Sequence, residues 1–343
     1  MPRITLVRLV AVAAVSLALG APGTAVAQAT KTMRIGADVP RDVPVSQGIY
    51  CLAEKVGTQT AGRVKIEYYP NSQLGTPEEQ IAGTRAGSQE GWFGAAGQMA
   101  RLVSTYQIFS PAFAHQDREA VLALLRSPFF DGVRAELQQK HGLVTLFYDW
   151  FRGYRQLLAK RPIRKLEDLQ GLKLRVPASP AKVFAWKKMG ASPTPIPPAE
   201  LYMALKEGVV DGLEIEIETM HSEHYDEIAK YLTLTSHEGS FASLVVNQGF
   251  WQTLTPDDRK IIKTAADECG RRASATTDAL DRKTVEVMQK ELRVEVITLT
   301  PAAREAFFKV GRQGLDELDA QNKWWPAGTV SKVRAKDPQY YRP

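Results

Sequence analysis

Short apolar runs alternate with longer amphipathic segments along most of the chain. The short runs are bounded by proline, glycine or polar residues, as is typical of strands, and the longer segments repeat apolar residues at helical spacing. Strands are predicted at TMRIGADV, VKIEYYP, LVTLFYDW, KLRVP, PTPIP and VEVITL. Helices are predicted at VSQGIYCLAEKVGTQTAG, LGTPEEQIAGTRAGSQE, PPAELYMALKEGVVDG and PAAREAFFKVGRQGLDELDAQ. Strands that alternate with helices favour an α/β protein with mostly parallel sheets.

Three predicted helices begin with threonine followed by proline, at Thr76, Thr255 and Thr300. Threonine can cap a helix, proline suits its first turn, and Glu79 completes a capping box with Thr76. From Thr255 the helical pattern continues for roughly 35 residues, on the order of 50 Å if unbroken. A helix of this length must bridge two domains or break. No flexible linker is visible in the sequence, so crossing segments are expected to join the domains.

The N-terminal residues differ from the rest of the chain. Two arginines precede the apolar run at residues 9–19, and small residues follow up to Ala27. This pattern predicts a secretory signal peptide, residues 1–27, with Gln28 as the first mature residue. The run is too short to span a bilayer, which needs roughly 20 apolar residues. We therefore expect export to the periplasm.

The net charge of +6 comes from 44 basic and 38 acidic residues. Removal of the leader with its two arginines leaves 42 basic residues and a net charge of +4. No block of lysine and arginine stands out, which argues against nucleic acid as a partner.

The two cysteines, Cys51 and Cys269, lie far apart in helical patterns. Export would permit one disulfide, but a lone buried thiol is the commoner outcome in such a pattern. Two unpaired thiols are therefore expected. Without neighbouring histidines, these cysteines predict no metal site.

Motifs of common enzyme classes are absent from the sequence: it has no G-x-S-x-G, no Walker loop, no G-x-G-x-x-G after a strand and no H-E-x-x-H. The nearest approach to a metal cluster is His221, Glu223 and His224. The imidazoles of His221 and His224 share a helix face, but no third ligand stands at a recognisable spacing. A solvated helix start is expected there instead.

The acidic run LEIEIE has strand periodicity, which places Glu214, Glu216 and Glu218 on one face. Paired carboxylates can carry out acid–base chemistry. We expect Glu216 and Glu218 to face solvent. Glu214 follows the end of a well-marked helix and is the candidate functional residue of the three.

Two arginines stand in apolar or aromatic surroundings, Arg155 in WFRGYRQLL and Arg175 in KLRVP. An unpaired guanidinium there would be costly, so each needs an acidic protein partner or an anionic ligand. A guanidinium offers two parallel donors that match a carboxylate. From this chemistry alone a structural salt bridge is the commoner explanation, and Glu214 is an available partner.

The segment at residues 166–214, which contains KLRVP and EGVVDGLE, resembles the extracytoplasmic solute-binding proteins of TRAP transporters, the DctP-like family. The resemblance extends to YYPNSQLGTPEEQ, GYRQL, DEIAKYLTLTSH and LTPDDRKIIKTAA, and covers essentially the whole mature chain. It implies a periplasmic-binding-protein-like fold of two α/β domains, with crossing interdomain segments and a long bridging helix. The two domains close like a hinge over a ligand.

The predicted domain boundaries follow from this resemblance. Domain I comprises residues 28–152 with 241–280, and domain II comprises residues 153–240 with 281–343.

The resemblance also assigns roles to individual residues. Arg175 matches the family arginine that holds the ligand carboxylate in a bidentate pair, and Arg155 matches a second arginine of the same cleft. Asp38, after the first strand, is expected to add a polar group. Glu214 matches a glutamate that orients an arginine. Ile215 stands where the family often has asparagine, which argues against a sialic-acid-like ligand.

Three further residues are expected near the ligand. Trp92 and Gln98, in the small-residue segment WFGAAGQM, would line the far wall together with Phe93. Arg152 stands where asparagine is frequent in the family, and its charge would favour a second anionic group on the ligand. The aromatic residues of this region, Trp150 included, could face the ligand or belong to the core.

The resemblance therefore predicts a monomeric, non-enzymatic binding protein without a cofactor. It would capture a small organic acid and deliver it to the membrane permease of a TRAP transporter. Two alternatives remain open from the residues: an exported lyase or hydrolase acting on an organic acid, and a ligand-sensing protein of the same fold.

Overall fold

The computed structural model describes residues 29–115 and 117–342. The predicted signal peptide, residues 1–27, lies outside these described residues. Within them, no helix is long and apolar enough to cross a membrane.

The described strands include every strand predicted from the pattern and two that were not predicted, Gly91–Ala95 and Tyr231–Asn247. They are β1 (Lys31–Ala37), β2 (Val64–Tyr69), β3 (Gly91–Ala95), β4 (Leu143–Ala159), β5 (Lys173–Val176), β6 (Ser192–Pro195), β7 (Gly212–Glu216), β8 (Tyr231–Asn247) and β9 (Glu295–Thr298).

The α-helices are α1 (Pro44–Gln59), α2 (Pro77–Ala86), α3 (Arg118–Leu125), α4 (Pro128–His141), α5 (Pro180–Lys188), α6 (Pro198–Lys206), α7 (Ile217–Ser222), α8 (Gln248–Thr253), α9 (Pro256–Lys290), α10 (Pro301–Ala320) and α11 (Thr329–Arg334). Short 3-10 helices lie at Ala96–Arg101, Ser104–Phe109, Leu166–Leu169 and Tyr225–Glu227. The three threonine caps form as predicted, and Thr76 and Glu79 make the reciprocal capping box.

All nine strands belong to one mixed sheet with the order β2-β1-β3-β8-β4-β7-β5-β6, and β9 pairs with β8. The pairings of β1 with β2 and β3 are parallel, and so are those of β5 with β6 and β7. The long strands β4 and β8 join these two parallel groups through antiparallel pairings. The α/β prediction is confirmed, but the sheet is mixed because β4 and β8 run through both groups.

The long helix α9 is continuous over 35 residues, as its pattern predicts. Ile262 and Ala265 pack in the core around β1 and α1, whereas Met288 packs with Leu213 in the core around β7. One helix therefore contacts the hydrophobic cores of both strand groups.

The predicted domain boundaries fall inside continuous elements. Position 152/153 lies within β4, 240/241 within β8 and 280/281 within α9. These boundaries stay a prediction. The elements β4, β8 and α9 are the segments that cross between the two strand groups.

The expectation of two unpaired thiols is wrong. Cys51 on α1 and Cys269 on α9 form a disulfide, with their Cα atoms 5.9 Å apart. The two helices pack side by side over the strand group of β1, β2 and β3. This packing brings together residues that are 218 positions apart in sequence. Helical periodicity alone contains no information about this approach.

We expect Cys51→Ser combined with Cys269→Ser to lower the free energy of unfolding by about 2–4 kcal/mol, because the bridge restricts the unfolded chain. Urea unfolding of the oxidised protein measures the difference. Reductant should bring the wild type to the level of the double variant and leave the variant unchanged. Equal stability of the oxidised wild type and the variant would contradict the prediction.

Candidate functional site

A cleft of about 650 Å³, including its open mouth, lies where β4, β5 and β7 meet the loop after β1. Six of the eight residues predicted for the site line it: Asp38, Gln98, Arg152, Arg155, Arg175 and Ile215. Glu214 lies directly behind Arg155, and Trp92 lies elsewhere. The sheet order thus brings together side chains that are up to about 180 positions apart in sequence.

Arg175 is a buried cation without a carboxylate partner. It lies at the end of β5, where Pro177 prevents further pairing, and only 1% of its surface is exposed. Its Nε donates to the carbonyl of Ile196 at 2.9 Å. Among the described residues no carboxylate lies within ion-pair distance of it. Burial lowers the pKa of Arg175, as does the nearby charge of Arg155. Arginine nevertheless stays protonated in proteins, so its two terminal nitrogens favour an anion.

Arg155 is fully engaged by protein groups. Its Nε and Nη2 donate to the two carboxylate oxygens of Glu214, at 2.6 Å and 3.0 Å. Its Nη1 donates to Glu216 at 3.1 Å, and Nη2 also reaches the Glu214 carbonyl at 2.6 Å. Arg155 faces Glu216 in the β4–β7 register, which explains the pairing. Of the two explanations given for a buried arginine, the structural salt bridge is the one that applies to Arg155. Its side chain also borders the cleft.

Glu214 is completely buried and carries several partners at once. Besides Arg155, it accepts a hydrogen bond from His237 Nε2 at 3.0 Å, and Lys182 Nζ lies 3.6 Å away. Despite the opposing effect of burial, Arg155 and Lys182 hold the pKa of Glu214 well below its usual range. Glu214 is therefore a carboxylate that orients Arg155.

His237 supports Glu214 as a neutral imidazole. Burial lowers the pKa of His237 to about 4. Because Nε2 donates to Glu214, Nδ1 is the acceptor and takes a hydrogen bond from the Thr235 hydroxyl at 2.8 Å. Both ring nitrogens are thus satisfied inside the protein.

Glu216 does not face solvent as predicted, since only 1% of its surface is exposed. It lies on β7, an interior strand between β4 and β5 whose residues are all buried. Against the effect of burial, the charges of Arg152 and Arg155 lower the pKa of Glu216 to about 2. Glu218 lies beyond the strand, on α7, and accepts a hydrogen bond from Thr284 at 2.7 Å. It is partly exposed, so the solvent-facing prediction is wrong for Glu216 and holds only in part for Glu218.

Asp38 follows β1 and borders the cleft. Its carboxylate oxygen Oδ1 is buried and has no hydrogen-bond partner among the described residues. Burial raises the pKa of Asp38, and the charge of Arg152 opposes that rise only in part.

Trp92 was expected in the cleft wall, but it is fully buried in the hydrophobic core. Phe93 and Trp150 lie in the neighbouring core with their rings 5.9 Å apart. The cause is the position of β3 between β1 and β8, where both faces of the strand are covered. Gln98, in the 3-10 helix that follows β3, does border the cleft.

Several polar residues of the cleft were not predicted from the sequence. Asn71 donates to Glu223 at 3.1 Å across the mouth of the cleft, and Tyr225 lines its floor. Asn71 adopts a positive φ of 54°, and an asparagine in a Pro-Asn-Ser turn is a signal that could have found it. A second chamber, bordered by Lys182 and Phe241, shares the lining residues Gln98 and Arg155 with the cleft.

The candidate metal residues have other partners. His221 pairs with Asp226 at 2.7 Å, and His224 pairs with Glu227 at 3.1 Å. A different group, Glu214, His237 and Glu238, has ligand atoms within 4.8 Å of one another. The ammonium of Lys182 already bridges these two glutamates, so the group is a poor fit for a metal ion.

Comparison with known proteins bears directly on this arrangement. The family model for bacterial extracellular solute-binding protein, family 7 (DctP), matches residues 35–322. The chain belongs to this family. The resemblance to TRAP transporter solute-binding proteins is thereby confirmed. Members of the family are periplasmic, bind small organic acids and work with a TRAP permease.

Two characterised relatives illustrate the range of the family. The 2,3-diketo-L-gulonate-binding periplasmic protein YiaO of Escherichia coli is 31% identical over 273 residues, 76% of this chain and 82% of YiaO. The C4-dicarboxylate-binding periplasmic protein DctP of Rhodobacter capsulatus is 27% identical over 328 residues, 95% of this chain and 96% of DctP.

A solved structure shows that the architecture is also shared. The TRAP periplasmic solute binding protein of Ochrobacterium anthropi, with bound L-fuconate, superimposes with a TM-score of 0.82 at 27% identity, over 90% of this chain and 99% of that protein. The predicted two-domain periplasmic-binding fold is confirmed by this similarity.

The buried state of His237 predicts a specific loss of stability in mild acid. The unfolded residue takes up a proton near pH 6.5, whereas the folded residue resists protonation until about pH 4. His237 is therefore neutral in both states above pH 6.5. As the pH falls from 6.5 towards 4, protonation of the unfolded chain lowers the free energy of unfolding by up to about 1.4 kcal/mol per pH unit. His237→Gln should show a shallower decline in urea unfolding at pH 7, 6 and 5.

His224→Gln is the matched control, because His224 is largely exposed and outside this cluster. Its stability should follow the wild type across the same pH range. Parallel curves for the wild type and His237→Gln would rule out the predicted protonation behaviour.

Proposed function

We propose that this protein captures a small organic acid in the cleft beside Arg175 and delivers it to the membrane permease of a TRAP transporter. The observation that carries the proposal is the buried guanidinium of Arg175, whose terminal nitrogens have no carboxylate partner among the described residues. A ligand carboxylate supplies the missing negative charge and accepts two parallel hydrogen bonds. The relatives support this assignment, because their ligands all carry a carboxylate.

The roles of the other residues differ in the proposal. Arg155 has a positioning role and does not bind the ligand, since Glu214 and Glu216 already accept from its donors. Asp38 and Ile215 contact the ligand from opposite strand groups, and Gln98 closes the side of the cleft. The mature protein acts as a monomer that reaches the permease with its ligand enclosed.

Replacement of Arg175 tests the proposal. A thermal-shift screen of an organic-acid library first identifies ligands, since a ligand at about 100 times its dissociation constant stabilises by roughly 2.7 kcal/mol. Arg175→Ala should then weaken binding about a hundredfold or more in calorimetry, because the carboxylate loses a buried charged partner. Arg175→Lys keeps the charge but loses the paired geometry, so an intermediate loss is expected.

Arg334→Ala serves as the control for removal of an arginine, since Arg334 is exposed on α11 and pairs with Asp316. It should bind as the wild type does. Unchanged affinity in Arg175→Ala would exclude Arg175 as the carboxylate anchor, and a screen without any organic-acid ligand would exclude the proposed function.

Export is the second part of the proposal. Expression of the full chain in a Gram-negative host should yield periplasmic protein that begins at Gln28, as intact mass and N-terminal peptide analysis would show. Ala27→Lys should block this cleavage, because a signal peptidase requires a small residue there. Cytoplasmic protein that retains residues 1–27 would contradict the expectation.

A further inference from the structure

One hydrogen bond joins the two strand groups across the mouth of the cleft, from Asn71 to Glu223. Asn71 follows β2, and the N–H of the next residue, Ser72, donates to the carbonyl of Ala37 at the end of β1. Glu223 follows α7, and its N–H donates to the carbonyl of Thr219 in that helix at 3.1 Å. The donor is therefore fixed to the group of β1, β2 and β3, and the acceptor to α7.

The side chain of Asn71 is held in the orientation that donates to Glu223. Its Oδ1 accepts from the backbone N–H of Arg41 at 3.1 Å, and an N–H can only donate. The amide nitrogen Nδ2 therefore points to Glu223 Oε1, 3.1 Å away. The backbone of Asn71 has a φ of 54°, a conformation that asparagine adopts more readily than most residues. The turn thus presents the donor without rearrangement.

The acceptor belongs to the opposite strand group. Helix α7 follows β7 directly, and its residue Met220 packs with Leu213 in the core around β7. Burial raises the pKa of Glu223, while the hydrogen bond from Asn71 and the nearby His224 oppose that rise. Asn71 thus favours the ionised form of Glu223, and charge-assisted hydrogen bonds are stronger than neutral ones.

Neither residue lies on β4, β8 or α9, the segments that cross between the groups. An opening rotation about these segments moves the two sides of the mouth apart. Because a hydrogen bond needs its donor and acceptor within about 3.5 Å, even a small opening breaks the contact between Asn71 and Glu223. Release of an enclosed ligand therefore has to overcome this hydrogen bond.

We propose that Asn71 and Glu223 form a latch across the cleft, which slows the release of a bound ligand by holding the two strand groups together. The inference rests on the proposed function, since the latch acts on what the cleft encloses. Both residues border the cleft, so a direct ligand contact is the role from which a latch has to be distinguished.

Stopped-flow kinetics with the strongest ligand of the library screen test the latch in the mature protein. Asn71→Ala and Glu223→Ala should each speed ligand dissociation roughly fivefold to tenfold, as expected for loss of a hydrogen bond to a charged group. Association should stay within about twofold of the wild type, because the latch forms after the ligand has entered. Unchanged dissociation in both folded variants would overturn the inference.

The double variant separates a latch from two independent ligand contacts. If the residues act only on each other, Asn71→Ala combined with Glu223→Ala should release the ligand no faster than either single variant. Effects that multiply would show that each residue contacts the ligand separately, and they would overturn the latch.

Exchange of the two side-chain types gives a second readout. Asn71→Asp alone sets two carboxylates against each other and should speed dissociation at least as much as Asn71→Ala. Asn71→Asp combined with Glu223→Gln keeps the net charge of the wild type and reverses the direction of the hydrogen bond, so slow release should return. A folded combination that releases the ligand as fast as Asn71→Asp alone would contradict the latch.

Asn322→Ala is the matched control. Asn322 also has a positive φ, 49°, and also accepts from a backbone N–H, that of Ala327, but it follows α10 and does not line the cleft. It should release the ligand at the wild-type rate.

If the screen finds no organic-acid ligand, the proposed function fails, and distances in the free protein decide on the latch. Spin labels at Ala82→Cys on α2 and Met203→Cys on α6 report on the two strand groups, and the native cysteines are bridged. Asn71→Ala should shift the label-to-label distances to larger values than in the wild type and Asn322→Ala. The same distances in all three proteins would overturn the latch.

Discussion

The buried guanidinium of Arg155 imposes the constraint on which the site depends. It lies on an interior strand, and a buried cation that loses its partner costs several kcal/mol. Glu214 and Glu216 supply its counter-charge from β7. Glu214 is itself fully buried and needs His237 from β8 and Lys182 from α5. One buried charge thus fixes β4, β7, β8 and α5 relative to one another, and all four reach the cleft or its second chamber.

Arg175 lies close to this cluster but outside its hydrogen bonds. Both oxygens of Glu214 accept from Arg155, whereas Arg175 donates its Nε to the Ile196 carbonyl and has no carboxylate within ion-pair distance among the described residues. The protein therefore contains two buried arginines with opposite roles. The paired one stabilises the fold, and under the proposed function a ligand carboxylate compensates the other. Ligand binding would then be linked to stability at Arg175.

Local sequence signals predicted much of the fold, because caps and periodicity depend on neighbouring residues. The Thr76 capping box and the uninterrupted helix from Thr255 are of this kind. Residue chemistry also identified Arg175 as a cation in need of a counter-charge. The Cys51–Cys269 bridge and the burial of Glu216 were not predictable in this way. Both depend on which distant elements become neighbours, and the antiparallel passage of β4 and β8 decides that.

The strand that links the two parallel groups also carries charges of the site. Arg152 lies at a register shift of β4 between Phe151 and Gly153, and a second shift begins at Arg155. Irregularities of this kind bend a strand and increase its twist. Arg152 and Arg155 line the same cleft as Arg175, so under the proposed function a bound carboxylate would place negative charge near both arginines. β4 runs through both strand groups, and ligand charge would therefore act directly on the strand that connects them.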